Sequence, residues 1–278
     1  MALKMDAVGT QCDPIKHKYT WRDTVLYALG VGAKADELDF LYEGRGPKVL
    51  PTFAVVPSFS ALASVSATLG ANPMMILHGE QKVTMHRPIP PAGEFQTVAE
   101  VTGIYDKGKG ALVMVEARTT DEKGEPVFDN TFSTFVRGEG GFGGARGPEA
   151  LKADPPEGKA PDFSVSEKTM PEQALLYRLS GDLNPLHASP SFAKMGGFDR
   201  PILHGLCTYG FAGRAFLKHA CGRDPKKFKS FAARFAGVVF PGDTLTTEGW
   251  QIGPATWVLR TRTQDDKIVL SNSIAETV

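Results

Sequence analysis

The chain has 278 residues, 42% hydrophobic and 22% charged, enough for one large domain or two ordinary ones with a substantial core. Its 31 basic and 31 acidic residues cancel. That argues against a general nucleic-acid binder, which needs a basic surplus to displace counterions from phosphates. No apolar run reaches the roughly 20 residues that span a bilayer, so no membrane association is expected. The start lacks a signal-peptide hydrophobic region, and SIAETV at the end is not the peroxisomal tripeptide. Cys12, Cys207 and Cys221 share no metal-ligand spacing and leave an odd thiol. A reducing, cytoplasmic and bacterial setting is expected, or a peroxisomal one in a eukaryote.

Taken in chain order, the first 140 residues hold a Tyr-centred segment, DTVLYALGVGA (23–33), then a proline and a small-residue helix, PSFSALASVSATLGA (57–71). Strand-like runs follow from EQKVTMHRPIPPAGEF (80–95) through PVFDNTFSTFVR. They alternate apolar and polar residues as half-buried antiparallel strands do. Residues 137–162 are dense in Gly, Pro and charge without periodicity, so a linker is placed at 141–161. The order then repeats over 162–278: QALLYRLSGDL (173–183), PILHGLCTYGFAGRAFLKHA (201–220), FKSFAARFAGVVFPGDTL (228–245) and two further β-rich runs. Each half is therefore an α+β unit, a helix-bearing segment followed by an antiparallel sheet. The helix predicted over 205–221 is apolar on most faces. It should be buried with a sheet wrapped round it.

The loop SGDLNPLHASP (180–190) carries the chemistry. Pro185 disfavours a helix and pushes Asn184 toward an extended shape, while Gly181 permits a tight turn. In a fixed loop Asp182 and His187 can face one small volume, with Asn184 orienting one of them. A carboxyl and an imidazole together can hold a water and move protons near neutral pH. Ser, Asp and Asn also cap helices without any catalytic role, but capping needs only one of them. The duplication supplies a control. Aligning Tyr27 with Tyr177 places Gly32, Lys34 and Glu37 opposite Asp182, Asn184 and His187. A folding requirement should be met in both halves, and the first half lacks the constellation. Ser60 and Ala61 likewise stand opposite His204 and Gly205. At a helix N-terminus a glycine leaves its N–H open to an oxygen, so Gly205 is a candidate oxyanion site.

YRLSGDLNPLH (177–187), HG (204–205) and ARFAGVVFPGDTL (233–245) closely resemble the MaoC-like (R)-specific enoyl-CoA hydratases, the hydratase 2 group. The first half, with ILHGEQKV (76–83) and YDKGKGA (105–111), is similar to the non-catalytic half of the two-domain versions, such as the hydratase portion of peroxisomal multifunctional enzyme type 2. The resemblance implies a double hot-dog, two repeats packed as a pseudo-dimer. It implies reversible hydration of a trans-2-enoyl-CoA to the (R)-3-hydroxyacyl-CoA, with His187 favoured as base and Asp182 as acid, though a shared water leaves that assignment open. Asn184 would position the pair and the Gly205 N–H would bind the thioester oxygen. Coenzyme A enters only as part of the acyl-CoA substrate; no separate cofactor or metal is expected. Its contacts carry over to His78, Gly79, Lys107, Gly205 and Phe235, and charge beside Phe235 adds Arg234 and Lys229. Loss of the loop from the first half implies room for medium or long acyl chains. A homodimer of the whole chain is a further expectation of the same kind. Three other readings fit parts of the pattern: a hot-dog dehydratase acting on another acyl thioester, a non-enzymatic acyl-CoA-binding protein, and a metal site built from Asp182, His187 and His204.

Overall fold

The computed structural model describes residues 3–72, 75–149 and 152–278. Among these residues ten strands form one antiparallel sheet: β1 (Ile15–Tyr19), β2 (Ile76–Met85), β3 (Gly93–Asp106), β4 (Gly110–Asp121), β5 (Pro126–Arg137), β6 (Phe163–Lys168), β7 (Phe228–Phe235), β8 (Thr244–Gln251), β9 (Thr256–Thr263) and β10 (Ile268–Thr277). Their order across the sheet is β1-β3-β4-β5-β2-β7-β10-β9-β8-β6. Counted inward from either edge, each half runs first, third, fourth, fifth and second strand. That palindrome is what a pseudo-twofold axis between β2 and β7 produces. The seam is an antiparallel ladder from Glu80 opposite Arg234 to Thr84 opposite Ser230.

Among the described residues six α-helices accompany the sheet: α1 (Trp21–Gly30), α2 (Leu38–Leu41), α3 (Val55–Thr68), α4 (Gln173–Tyr177), α5 (Pro190–Met195) and α6 (Gly205–His219). Every residue of α6 from Leu206 to Leu217 is buried, as a helix apolar on most faces should be. Its neighbours in the main core include Phe228, Phe231, Leu245 and Leu270. The smaller α3 lies on β3 and β4, where Ala61, Val65 and Leu69 meet Ala99, Val101, Val113 and Val115. α3 begins two residues ahead of Pro57, earlier than its sequence suggests. The turn Pro51–Ala54 feeds directly into it, and Pro57 falls in the first helical turn, where its missing N–H costs nothing.

The two halves interlock at α1 and α4. The Tyr27 and Tyr177 rings lie 6.1 Å apart, and Gln173 Nε2 donates to the Gly30 carbonyl at 2.6 Å. Between β5 and β6 the described residues form no helix or strand; Ala150 and Leu151 of the expected linker lie outside the described residues. The start of this stretch is pinned by Asp106, whose carboxylate accepts the N–H groups of Gly108, Gly141 and Gly143 at 2.7–2.9 Å. The cysteines are unpaired. Among the described residues no helix is long and apolar enough to cross a membrane.

Arg214, in the middle of α6, is almost wholly buried. Its guanidinium donates to Glu37 of the first half, to Glu167 of β6, and to the Val31 carbonyl at 3.1 Å. The position aligned with His187 thus holds a carboxylate committed to an ion pair across the halves. Removing one partner of such a buried pair strands the other charge. Arg214→Met should cost about 3–5 kcal/mol of stability, read as a lowered urea midpoint. A loss under about 1 kcal/mol would show that the pair does not hold the halves together.

Candidate active site

The chain enters the site through a 3-10 turn, Arg178–Ser180, and reverses at Gly181. Gly181 has φ +123° with open space around a would-be Cβ, so conformation alone selects glycine there. Asp182 follows. Its Oδ1 accepts the Asn184 N–H at 3.2 Å. Asn184 is extended, φ −51° and ψ 122°, as a residue before proline must be. Its side-chain oxygen accepts the Leu186 N–H at 3.0 Å and caps a second 3-10 turn, Pro185–His187. Asn184 therefore orients Asp182 through its backbone N–H, while its side chain acts as the cap that the sequence also allowed.

His187 is buried at the end of that turn. Its Nδ1 lies 2.9 Å from the Ile202 carbonyl. A carbonyl only accepts, so Nδ1 carries the proton in the neutral ring and Nε2 keeps its lone pair. His204, immediately before α6, stacks on it with ring centroids 3.7 Å apart and planes 27° apart. His204 Nε2 donates to the Asp182 main-chain oxygen at 3.1 Å. Its Nδ1 is buried without a partner. Burial lowers the pKa of His187, opposed by the Ile202 carbonyl and the Asp182 charge. Burial, reinforced by His187, pushes His204 down to about 3. Two imidazoles in this contact are kept neutral near pH 7.

These groups open onto a cavity of about 590 Å³, within the range of small-molecule sites. Asp182, Asn184 and His187 line it together with Gly205, His78 and Phe235. Gly205 is the first residue of α6, with no side chain capping that end. Its N–H is one the helix leaves unpaired. A Cβ on Gly205 would sit 3.0 Å from the Phe235 ring, tight enough that the ring would have to shift. Phe235 in turn packs on His78, centroids 4.8 Å apart. His78 Nε2 donates to the Glu80 carbonyl, and burial lowers its pKa to about 4. The far wall is apolar and comes from the first half: Phe59, Leu62 and Ala63 of α3, with Ile76 and Leu77 of β2.

The remaining expected contacts lie off this cavity. Arg234 pairs with Glu80 at 3.2 Å and lines a separate groove with Ser230 and Glu276. Adjacent strand residues point to opposite faces, so Arg234 cannot share the Phe235 side. Lys229 is exposed, six residues and roughly 20 Å along β7 from Phe235. Gly79 sits at a register shift in β2 between His78 and Glu80. Lys107 is at the β3–β4 hairpin, its ammonium on the Arg146 carbonyl.

Asp182, His187 and His204 bring ligand atoms within 4.8 Å of one another, the spacing of a candidate metal site. The stacked rings fit a metal poorly. Lone pairs lie in the ring planes, and those of two stacked rings, centroids 3.7 Å apart and planes inclined by 27°, run side by side rather than converging on one point about 2 Å from both nitrogens. Two features carried no sequence signal as site elements: the Ile202 carbonyl and the exposed apolar rim of Leu77, Leu183 and Val238. The signal for His204 was its place beside Gly205.

Repeats wrapped round a central helix and joined through one sheet, with this loop over the shared cavity, define a double hot-dog protein of the MaoC-like class. Residues 17–138 match the MFE-2 hydratase 2 N-terminal domain and residues 152–272 the MaoC like domain. The Dictyostelium discoideum protein named "Probable enoyl-CoA hydratase 2" is 44% identical over 276 residues, 96% of this chain and 94% of that one. 3-hydroxyacyl-thioester dehydratase Y of Mycobacterium tuberculosis is 42% identical, covering 100% and 99%. The crystal structure of a MaoC-like dehydratase from Phytophthora capsici superposes with TM-score 0.90 at 33% identity, covering 99% and 98%. The chain belongs to the two-domain hydratase 2 family of MaoC-like proteins.

Histidines that resist protonation in the folded chain set an acid limit on it. His17, His78, His187, His204 and His219 all have lowered pKa values, with burial the largest cause. Below pH 6.5 the unfolded chain takes up protons that the folded one refuses, so stability falls with pH. The thermal midpoint should be highest above pH 6.5 and decline toward the values of His78 and His204, about 4 and about 3. A midpoint that stays level or rises between pH 7 and pH 5, followed by circular dichroism, would contradict this.

Proposed function

We propose that this chain catalyses reversible hydration of a trans-2-enoyl-CoA to the (R)-3-hydroxyacyl-CoA, with Asp182 and His187 as the proton carriers. The observation that carries the reading is the presence of a carboxylate, a neutral imidazole with a free Nε2 and an unpaired helix N–H on one cavity wall. A water held between Asp182 and His187 attacks C3 and gives its proton to Nε2. The imidazolium passes that proton to the Asp182 carboxylate, which delivers it to C2, so both groups end as they began and the balance is addition of one water. Negative charge gathers on the thioester oxygen as C3 is attacked, and the Gly205 N–H, at the positive end of α6, meets it there. The Phe235 and His78 rings beside Gly205 flank the thioester and pantetheine. No separate cofactor takes part.

The apolar wall from α3 supports a medium or long acyl chain. The small side chains of Ala63 and Ser66 are part of that wall. Dehydration of another 3-hydroxyacyl thioester is the same chemistry in reverse, and the name of the Mycobacterium relative favours it as the second reading.

Loss of enoyl absorbance on incubation with crotonyl-CoA and decenoyl-CoA tests the reaction. Decenoyl-CoA is expected to have the higher kcat/KM. Thioester cleavage without hydration overturns the reading, and binding without turnover selects a carrier. Asp182→Asn and His187→Ala should each reduce kcat by about 10²–10⁴, with the melting temperature nearly unchanged. Full activity in either variant removes that residue from its role. Because His187 acts as the neutral ring, the acid limb of kcat/KM should fall below pH 6.5.

A further inference from the structure

Ser180 stands two residues before Asp182, and its Oγ is buried without a hydrogen-bond partner in the protein. A buried hydroxyl left in that state is destabilising, and alanine would pack the same space without the penalty. Beside it lies a recess of about 10 Å³, bordered by Tyr177, Ser180 and Asp182 and closed in by Val55, Phe59 and Leu206. Room of that size fits one water, provided two or more polar groups face it. Ser180 and Asp182 are such groups, with Tyr177 alongside. Asp182, Phe59 and Leu206 border the main cavity as well. Asp182 thus stands between the two spaces.

The carboxylate needs such support. Among the described residues the one hydrogen bond it receives is the 3.2 Å contact from the Asn184 N–H. That bond fixes Oδ1 and leaves the tilt of the carboxylate loosely held. Val55 and Phe59 come from the first half, so the non-reacting repeat would supply the roof of the recess.

We propose that Ser180 is a positioning residue: it anchors one ordered water behind Asp182, and that water donates to the carboxylate and aims it at the reacting water. The proposal rests on the hydratase reading of the site. It concerns a second water, which is neither consumed nor formed.

The test compares wild type with Ser180→Ala and Ser180→Cys. Ser180→Ala should lower kcat about tenfold, the effect of losing one hydrogen bond to a charged group, with KM within about twofold and an unchanged or raised melting temperature. Ser180→Cys, nearly isosteric but a weaker donor, should fall between. A high-resolution crystal structure of the wild type should show a water within hydrogen-bond distance of Ser180 Oγ and the Asp182 carboxylate, missing from Ser180→Ala. An empty recess in the wild type, an alanine variant with full kcat, or a loss of kcat that tracks lowered stability would each overturn the proposal. Those outcomes leave wild-type hydration of enoyl-CoA intact. A wild type inactive on every enoyl-CoA tested overturns the hydratase reading and this proposal together.

Discussion

The hydrogen bond from His204 Nε2 to the Asp182 main-chain oxygen ties the loop that carries Asp182 and His187 to the helix that begins at Gly205. The same imidazole stacks on His187, and the neighbouring Ile202 carbonyl fixes the His187 tautomer. Asp182, His187 and Gly205 therefore derive their relative positions from four consecutive residues, 202–205. Strain or slack in that segment would move all three together. This rigidity suits chemistry in which a proton carrier and an anion-stabilising dipole must face the same bound molecule.

The division of labour between the halves follows from the same geometry. Each repeat offers a helix wrapped by a sheet, but only the second has a glycine at the helix start with a histidine before it. In the first half the position aligned with His187 is Glu37, buried against Arg214. That carboxylate is committed to holding the repeats together. What the first half gives the site is shape: the α3 and β2 walls of the cavity. A repeat without that loop can widen its side of the cavity without disturbing Asp182 and His187.

Much of this was legible in the residues. Strand alternation and the repeated order of elements reveal two like halves, because each of those signals is local. The loop was legible because Gly181, Pro185 and Asn184 each restrict the backbone in a known way. The palindromic strand order and the β2–β7 seam were not, since long-range pairing leaves no local pattern. The Ile202 carbonyl was hidden because every residue has one. Arg234 is a different case. Its neighbour Phe235 faces the cavity, and the alternation of a strand already placed Arg234 on the other side.

The most direct test is a crystal structure with (R)-3-hydroxydecanoyl-CoA bound. The 3-hydroxyl should lie within hydrogen-bond distance of both the Asp182 carboxylate and His187 Nε2, with the thioester oxygen on the Gly205 N–H. A product whose hydroxyl contacts neither side chain, or whose carbonyl points away from the start of α6, would contradict the account.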